Sequence, residues 1–141
     1  MVVSVTNAQR EAPVDRAQIA RLAAQAVRRL RIRARGTLAI TFIDSRRMQV
    51  LNRRFMGHDR TTDVLSFRYD GEPVIGEILI APRQARTYAT AHGIRYEEEL
   101  SRYVVHGLLH WLGHEDTTSA QQHKMRSMEN TLLGINGHSH R

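Results

Sequence analysis

The chain has 141 residues, 41% hydrophobic and 25% charged, which is one globular domain's worth of sequence and enough to bury a core without covalent staples. It contains no cysteine, so a disulfide scaffold, a thiolate metal site and a cysteine nucleophile are excluded together. The net charge of +7 is lopsided: residues 1–60 carry 13 arginines against 4 acids, a net of +9, and residues 61–141 carry a net of −2.

Val2, Val3 and Val5 predict a short first strand, and Asp15 caps a helix over about 16–31 in which Ile19, Leu22, Ala26 and Leu30 recur at helical spacing. Arg21, Arg28 and Arg29 lie on its other side. Thr37–Ile43 is β-rich, and Asp44 or Ser45 caps a second helix through Met48, Leu51 and Phe55 that ends at Gly57. Asp63–Tyr69 and Val74–Ala81 read as two strands of a hairpin around the turn cluster at 70–73. Pro82 opens a third helix that stops at Gly93. A fourth starts near Tyr96, with Glu97, Glu98 and Glu99 in the first turn where the helix dipole favours acids, and runs to about Leu112 before Gly113. A fifth covers roughly 118–133. The order βαβαββααα predicts an α+β fold: one domain over 1–141, a mixed sheet of about four strands packed with about five helices.

The chemistry concentrates in HGLLHWLGHED, His106 to Asp116, which holds three of the eight histidines. Residues four apart share a helix face, so His106 and His110 can grip one ion. On a helical wheel Leu100, Val104, Val105, Leu108, Leu109, Trp111 and Leu112 fill one arc, and the two histidines fall outside it on a stripe with Glu99 and Tyr103. A third ligand is needed. Were the helix to continue, His114 would lie about 12 Å along the axis from His106, too far for bonds of roughly 2.0–2.1 Å. A break at Gly113 lets the chain turn back and present Asp116 to the same ion, with His114 and Glu115 as rivals. Such a site binds through histidine and carboxylate alone.

The same segment resembles the H-G-x-L-H-L-x-G-Y-D-H signature of the YbeY family of rRNA maturation factors, matching at His106, Gly107, Leu109, His110 and Gly113. The run from Leu51 to Phe67, LNRRFMGHDRTTDVLSF, is similar to that family's L-N-x-x-Y/F-R-G-x-D-x-x-T-D-V-L-S-F block, and Gly76-Glu77-Ile78 to its G-D-I strand. Three departures stand out: the third metal histidine falls on Asp116, the arginine after the aromatic residue is Met56, and Tyr-Asp is replaced by His114-Glu115 with Glu77 at the G-D-I acid. Carboxylate is a legitimate third ligand, although an anionic donor makes bound water less acidic. Arg53 or Arg60 could replace the charge lost at Met56.

The resemblance implies a metal-dependent, single-strand-specific endoribonuclease in the cytoplasm, acting in rRNA maturation, including small-subunit RNA end processing and ribosome quality control. His106, His110 and Asp116 would hold one Zn2+ or another divalent metal, and no general base is identified beyond the activated water. The partners implied are RNA, chiefly rRNA, and the small ribosomal subunit or its associated factors, with no membrane. The arginine-rich first half, including Arg53, Arg54 and Arg60, would hold the RNA backbone, which predicts salt-sensitive binding. Two other readings compete. One is a non-catalytic RNA- or ribosome-binding factor with a structural metal. The other is a zinc metallopeptidase, which needs a glutamate after the first histidine where this chain has Gly107.

Overall fold

Strands and helices follow one another as β1 (Val2–Ala8), α1 (Arg16–Arg29), β2 (Thr37–Ile43), α2 (Ser45–Met56), β3 (Val64–Arg68), β4 (Val74–Ile80), α3 (Pro82–His92), α4 (Tyr96–Trp111) and α5 (Ser119–Leu133) in a computed structural model. The structure describes residues 1–56, 62–71 and 73–135. The expected end of α2 at Gly57, the candidate RNA contact Arg60 and the Met56 side chain lie outside the described residues.

The element order and the α+β class agree with the sequence reading. One four-stranded mixed sheet has the order β1-β2-β4-β3; β1, β2 and β4 run parallel and β3 returns antiparallel to β4, the expected hairpin. The first strand is longer than its valines suggest, because β1 pairs with β2 along its whole length from Val2↔Thr37 to Ala8↔Ile43.

Local signals end the helices as their chemistry dictates. The Asp15 carboxylate accepts from the Gln18 N–H at 3.2 Å to start α1. At α2 it is Asp44 that caps, accepting from the Arg47 N–H at 2.8 Å, while Ser45 donates both its N–H and its hydroxyl to Glu11. Gly93 closes α3 in the left-handed region at φ 63°.

The main core lies on one face of the sheet. Ile19, Ala23 and Ala26 of α1 and Leu100, Val104, Leu108 and Trp111 of α4 pack on Leu38, Ile40 and Phe42 of β2 and Ile78 and Ile80 of β4. A smaller cluster beneath α2, formed by Ile43, Met48, Leu65 and Ala81, covers part of the other face. Helix α5 stacks on the far side of α4 through Val105, Leu109 and Met125.

That third layer corrects the single apolar arc read from the wheel. Helix α4 is buried on two faces, one against the sheet and one against α5, and Glu99 and Arg102 are buried with it. The histidine stripe runs along the seam between those faces.

Two glycines set how closely α4 approaches the sheet. A Cβ on Gly107 would lie 2.6 Å from Ile78 Cγ2 and 2.9 Å from Val64 Cγ1, and one on Gly76 would collide with the Trp111 indole. At the near end of β4 the register with β2 shifts between Thr37 and Leu38. The Ile75 carbonyl there accepts from the Tyr69 N–H and from the Trp111 indole N–H.

Candidate metal centre

His106 and His110 stand one turn apart on α4, each with about 30% of its side chain exposed. After Trp111 the helix stops: the Gly113 N–H bonds the His110 carbonyl, the His114 N–H bonds the Leu109 carbonyl, and Gly113 takes φ 105°, which a residue with a Cβ strongly resists. The chain reverses, and the connection to α5 carries Asp116 back over the histidines.

That connection is pinned at its far end. Thr118 and Gln121 form a reciprocal capping box at the start of α5, and the Gln121 side-chain oxygen also accepts from the Thr117 N–H and hydroxyl, at 3.0 and 2.8 Å. Asp116 therefore sits between a glycine turn and a capped helix, two fixed points five residues apart.

The donor atoms converge. His106 Nε2 and His110 Nε2 are 3.0 Å apart, and Asp116 Oδ2 lies 3.5 Å from the first and 3.4 Å from the second. A tetrahedral ion with bonds of about 2.0–2.1 Å requires its ligand atoms about 3.3–3.4 Å apart. The triangle has the dimensions of one face of that tetrahedron, and two imidazoles with a carboxylate are a donor set that zinc and similar divalent ions accept. These residues form the group of three able to hold a metal among the described residues. Of the rivals, exposed Glu115 instead accepts from Gln121, at 3.5 Å, and His114 is outside the triangle.

Behind the triangle is a buried polar chain. His106 Nδ1–H donates to Glu129 Oε2 at 2.7 Å, and Arg102 donates to Glu129 Oε1 and to Asn130 Oδ1, both at 2.9 Å. Burial alone would raise the Glu129 pKa, but the His106 bond and charge, with those of Arg102, outweigh it and hold the carboxyl below its usual range. An ionised carboxylate can only accept, so the Nδ1 of His106 carries the proton of that bond and its Nε2 is the ring nitrogen that faces His110 and Asp116. Glu129 thereby fixes the metal-competent tautomer.

On the helical wheel Glu99 is the carboxylate that shares the histidine stripe. Glu99 is buried on α4, but the carboxylate bonded to His106 comes from α5. The available signal was a charged residue at 129 on the stripe that also carries Met125 and Leu132. Arg102 was legible too, lying on the histidine stripe one turn before His106.

Strand β3 and its approach form the opposite wall. Thr62, Val64, Leu65 and Ser66 line a cleft of about 350 Å3 with the triad. Buried Asn52 donates to the Thr62 carbonyl at 2.7 Å, and Ser66 donates to the Gly107 carbonyl at 2.7 Å, so the wall is tied to both α2 and α4. The Tyr103 hydroxyl donates to Asp63; burial raises the Asp63 carboxyl despite that bond, and burial beside Asp63 pushes the Tyr103 phenol up strongly. Glu77, at the G-D-I position, accepts from the Tyr69 hydroxyl and does not line the cleft. Arg53 and Arg54 are exposed on α2 and likewise outside the cleft lining. Arg29 is committed within the fold, donating to the Thr131 and Leu132 carbonyls at 3.1 and 3.4 Å.

The family model described as endoribonuclease YbeY matches residues 4–136. The endoribonuclease YbeY of Flavobacterium psychrophilum is 34% identical, over 73% of this chain and 74% of that protein. That of Geobacillus kaustophilus is 32% identical over 82% of each chain, and that of Desulfitobacterium hafniense 35% identical over 68% and 69%. A solution structure of a Thermotoga maritima protein matches with a TM-score of 0.59 at 21% identity, over 99% of this chain and 100% of that one, and so shares the fold.

Proposed function

This chain belongs to the YbeY family of endoribonucleases, and from that membership we propose that it is a metal-dependent endoribonuclease that cuts single-stranded RNA in ribosomal RNA maturation. The observation that carries the reading is the convergence of His106 Nε2, His110 Nε2 and Asp116 Oδ2 at the spacing of three metal ligands, with their side chains still about 30% exposed. The reading takes residues 1–141 as one catalytic domain, a cytoplasmic setting and the small ribosomal subunit or its factors as partners. Among the described residues no helix is long and apolar enough to cross a membrane.

Zn2+ is the ion that best suits two imidazoles and a carboxylate, and other divalent ions compete for the same donors. Held by His106, His110 and Asp116, such an ion would supply a Lewis acid for a phosphoryl oxygen and for water. The chain's own groups do the rest. His106 and His110 present their Nε2 atoms, Asp116 adds a carboxylate oxygen, and Glu129 keeps a proton on the far nitrogen of His106. Thr62 to Ser66 shape the wall against which the RNA lies.

The competing readings meet specific obstacles. A structural zinc site is usually closed by four protein ligands; among the described residues this group offers three, each about 30% exposed. A metallopeptidase needs a carboxylate beside the first histidine, and at Gly107 even a Cβ meets Ile78 and Val64, so no glutamate fits.

Elemental analysis of the purified protein tests the centre: about one divalent ion per chain is expected, and a His110→Ala variant that retains as much metal refutes it. Cleavage of single-stranded RNA should disappear in His106→Ala. Undiminished cleavage in that variant assigns the activity elsewhere.

A further inference from the structure

Two clefts meet at the triad, and His106 and Asp116 line both. One is the β3-side cleft described above. The other, about 260 Å3, opens on the α5 side, where Arg102, Tyr103, Gln122 and Arg126 join the two donors. An RNA strand with one phosphate at the triad must send its neighbouring nucleotides into this surface, and each brings another negative charge.

The basic side chains lining these clefts are few. The β3-side cleft has no arginine or lysine among its described lining residues. On the α5 side Arg102 is itself buried: its terminal nitrogens bond Glu129 and Asn130, its covered Nε has no partner among the described residues, and Glu129 has no oxygen left for it because its second one binds His106. Arg126 is different. It is half-buried on α5, next to Met125, which anchors the helix on Val105 and Leu109. Its NH1 is covered and bonded to nothing, and no ion pair or hydrogen bond engages its guanidinium among the described residues. Covered N–H donors in folded proteins almost always have partners, so an orphan beside a metal site calls for an acceptor supplied from outside. Guanidinium is also the side chain best matched to the two-oxygen edge of a phosphate.

We propose that the α5-side cleft is a phosphate subsite for single-stranded RNA, in which Arg126 binds the backbone phosphate of a nucleotide adjoining the one at His106, His110 and Asp116. The subsite rests on the reading of this chain as an RNA-cutting enzyme. It takes charge and not base identity, because the cleft offers a guanidinium and little flat aromatic surface, so it contributes affinity and strand placement without sequence preference. It also places the charge that the sequence lacks at Met56 on a different helix from the substitutes Arg53 and Arg60 considered on α2 and just beyond it.

The test compares wild type, Arg126→Gln, Arg126→Lys and, as a control, Arg95→Gln at the exposed start of α4. Binding is read by fluorescence anisotropy with a short oligoribonucleotide methylated on its ribose hydroxyls to suppress cutting, over a series of salt concentrations. Metal content and melting temperature are measured on the same samples. In Arg126→Gln, affinity at low salt should fall about tenfold, and the slope of log K against log salt should become shallower by about 0.7, one single-strand phosphate contact. Arg126→Lys should keep the slope, Arg95→Gln should match wild type, and metal content should hold in all four. Wild-type affinity and slope in Arg126→Gln overturn the subsite while leaving the nuclease reading intact. Loss of metal or melting temperature in parallel with RNA affinity overturns it as well, because Arg126 then serves the fold. A wild-type protein that does not bind the oligoribonucleotide overturns the nuclease reading and the subsite together.

Discussion

Replacing Glu129 by glutamine changes one atom and disturbs both ends of the buried chain behind the triad. The side chain is 5% exposed and receives two charge-assisted bonds, from His106 Nδ1 at 2.7 Å and from Arg102 at 2.9 Å. Glutamine has one oxygen and one NH2 in place of two oxygens, so it can accept from only one of these donors. If its oxygen faces Arg102, its NH2 faces His106 Nδ1 and the ring must move its proton to Nε2, where a metal cannot bind. If it turns the other way, its NH2 opposes the Arg102 guanidinium, whose charge is then buried with Asn130 as its remaining partner. Breaking a buried ion pair costs about 3–5 kcal/mol, and the one surviving bond puts Glu129→Gln near the lower end. A loss of about 3 kcal/mol corresponds to a melting temperature lower by roughly 10 °C in a domain of this size. Metal affinity should fall about 10–100-fold, the usual consequence of removing the partner that orients a ligand histidine. Competition with a chromophoric chelator gives the affinity, and urea unfolding of metal-free protein gives the stability without the contribution of bound ion. A Glu129→Gln protein that binds metal as tightly as wild type refutes the tautomer argument, whatever its stability.

Other consequences can be measured with the same tools. Gly107→Ala sets two effects against each other: alanine favours a helix interior by about 1 kcal/mol, but its methyl lies 2.6 Å from Ile78 Cγ2, and overpacking a core costs about 1–3 kcal/mol. Packing should win, with a net loss of about 1–2 kcal/mol in urea unfolding and weaker metal binding as α4 backs away; a more stable variant contradicts the close approach. Asp63 has its pKa raised by burial, so the folded protein holds the proton more tightly than the unfolded chain and this group's contribution to stability declines as pH rises through both pKa values. Asp63→Asn should therefore gain on wild type between pH 3 and neutrality, and a constant difference across that range contradicts the assignment. Gly113→Ala forces a Cβ into a backbone at φ 105°. It should reduce metal content more than it changes helicity by circular dichroism, since it displaces the turn that returns Asp116 while α4 itself persists.

Much of this molecule is legible along the chain because periodicity and caps are local. Ile19 to Leu30 at helical spacing, the Asp15 cap, Pro82 and Gly93 around α3, and the turn cluster between β3 and β4 each report the conformation of a few neighbouring residues. The i, i+4 spacing of His106 and His110 is equally local, and Gly113 followed by an acid three residues later makes a returning ligand a reasonable expectation. What could not be read there depends on residues far apart in sequence. A wheel drawn for α4 shows one apolar arc because it cannot say that α5 will cover a second face, and only that packing makes Arg102 a buried cation in need of Glu129. Gly107 reads as part of a motif until Ile78 and Val64 arrive from two strands and leave no room for a side chain. That Asp116 and not Glu115 stands over the histidines depends on the turn at Gly113 and the cap of α5, and Glu115 instead accepts from Gln121. The elements, their order and the candidate ion-binding pair are legible in the chain alone, because each is a property of residues within about a turn of one another. The carboxylate that joins the histidines, the Glu129 bond to His106 and the unpaired Arg126 come only with tertiary structure, because burial and partner choice exist only once α5 has packed against α4.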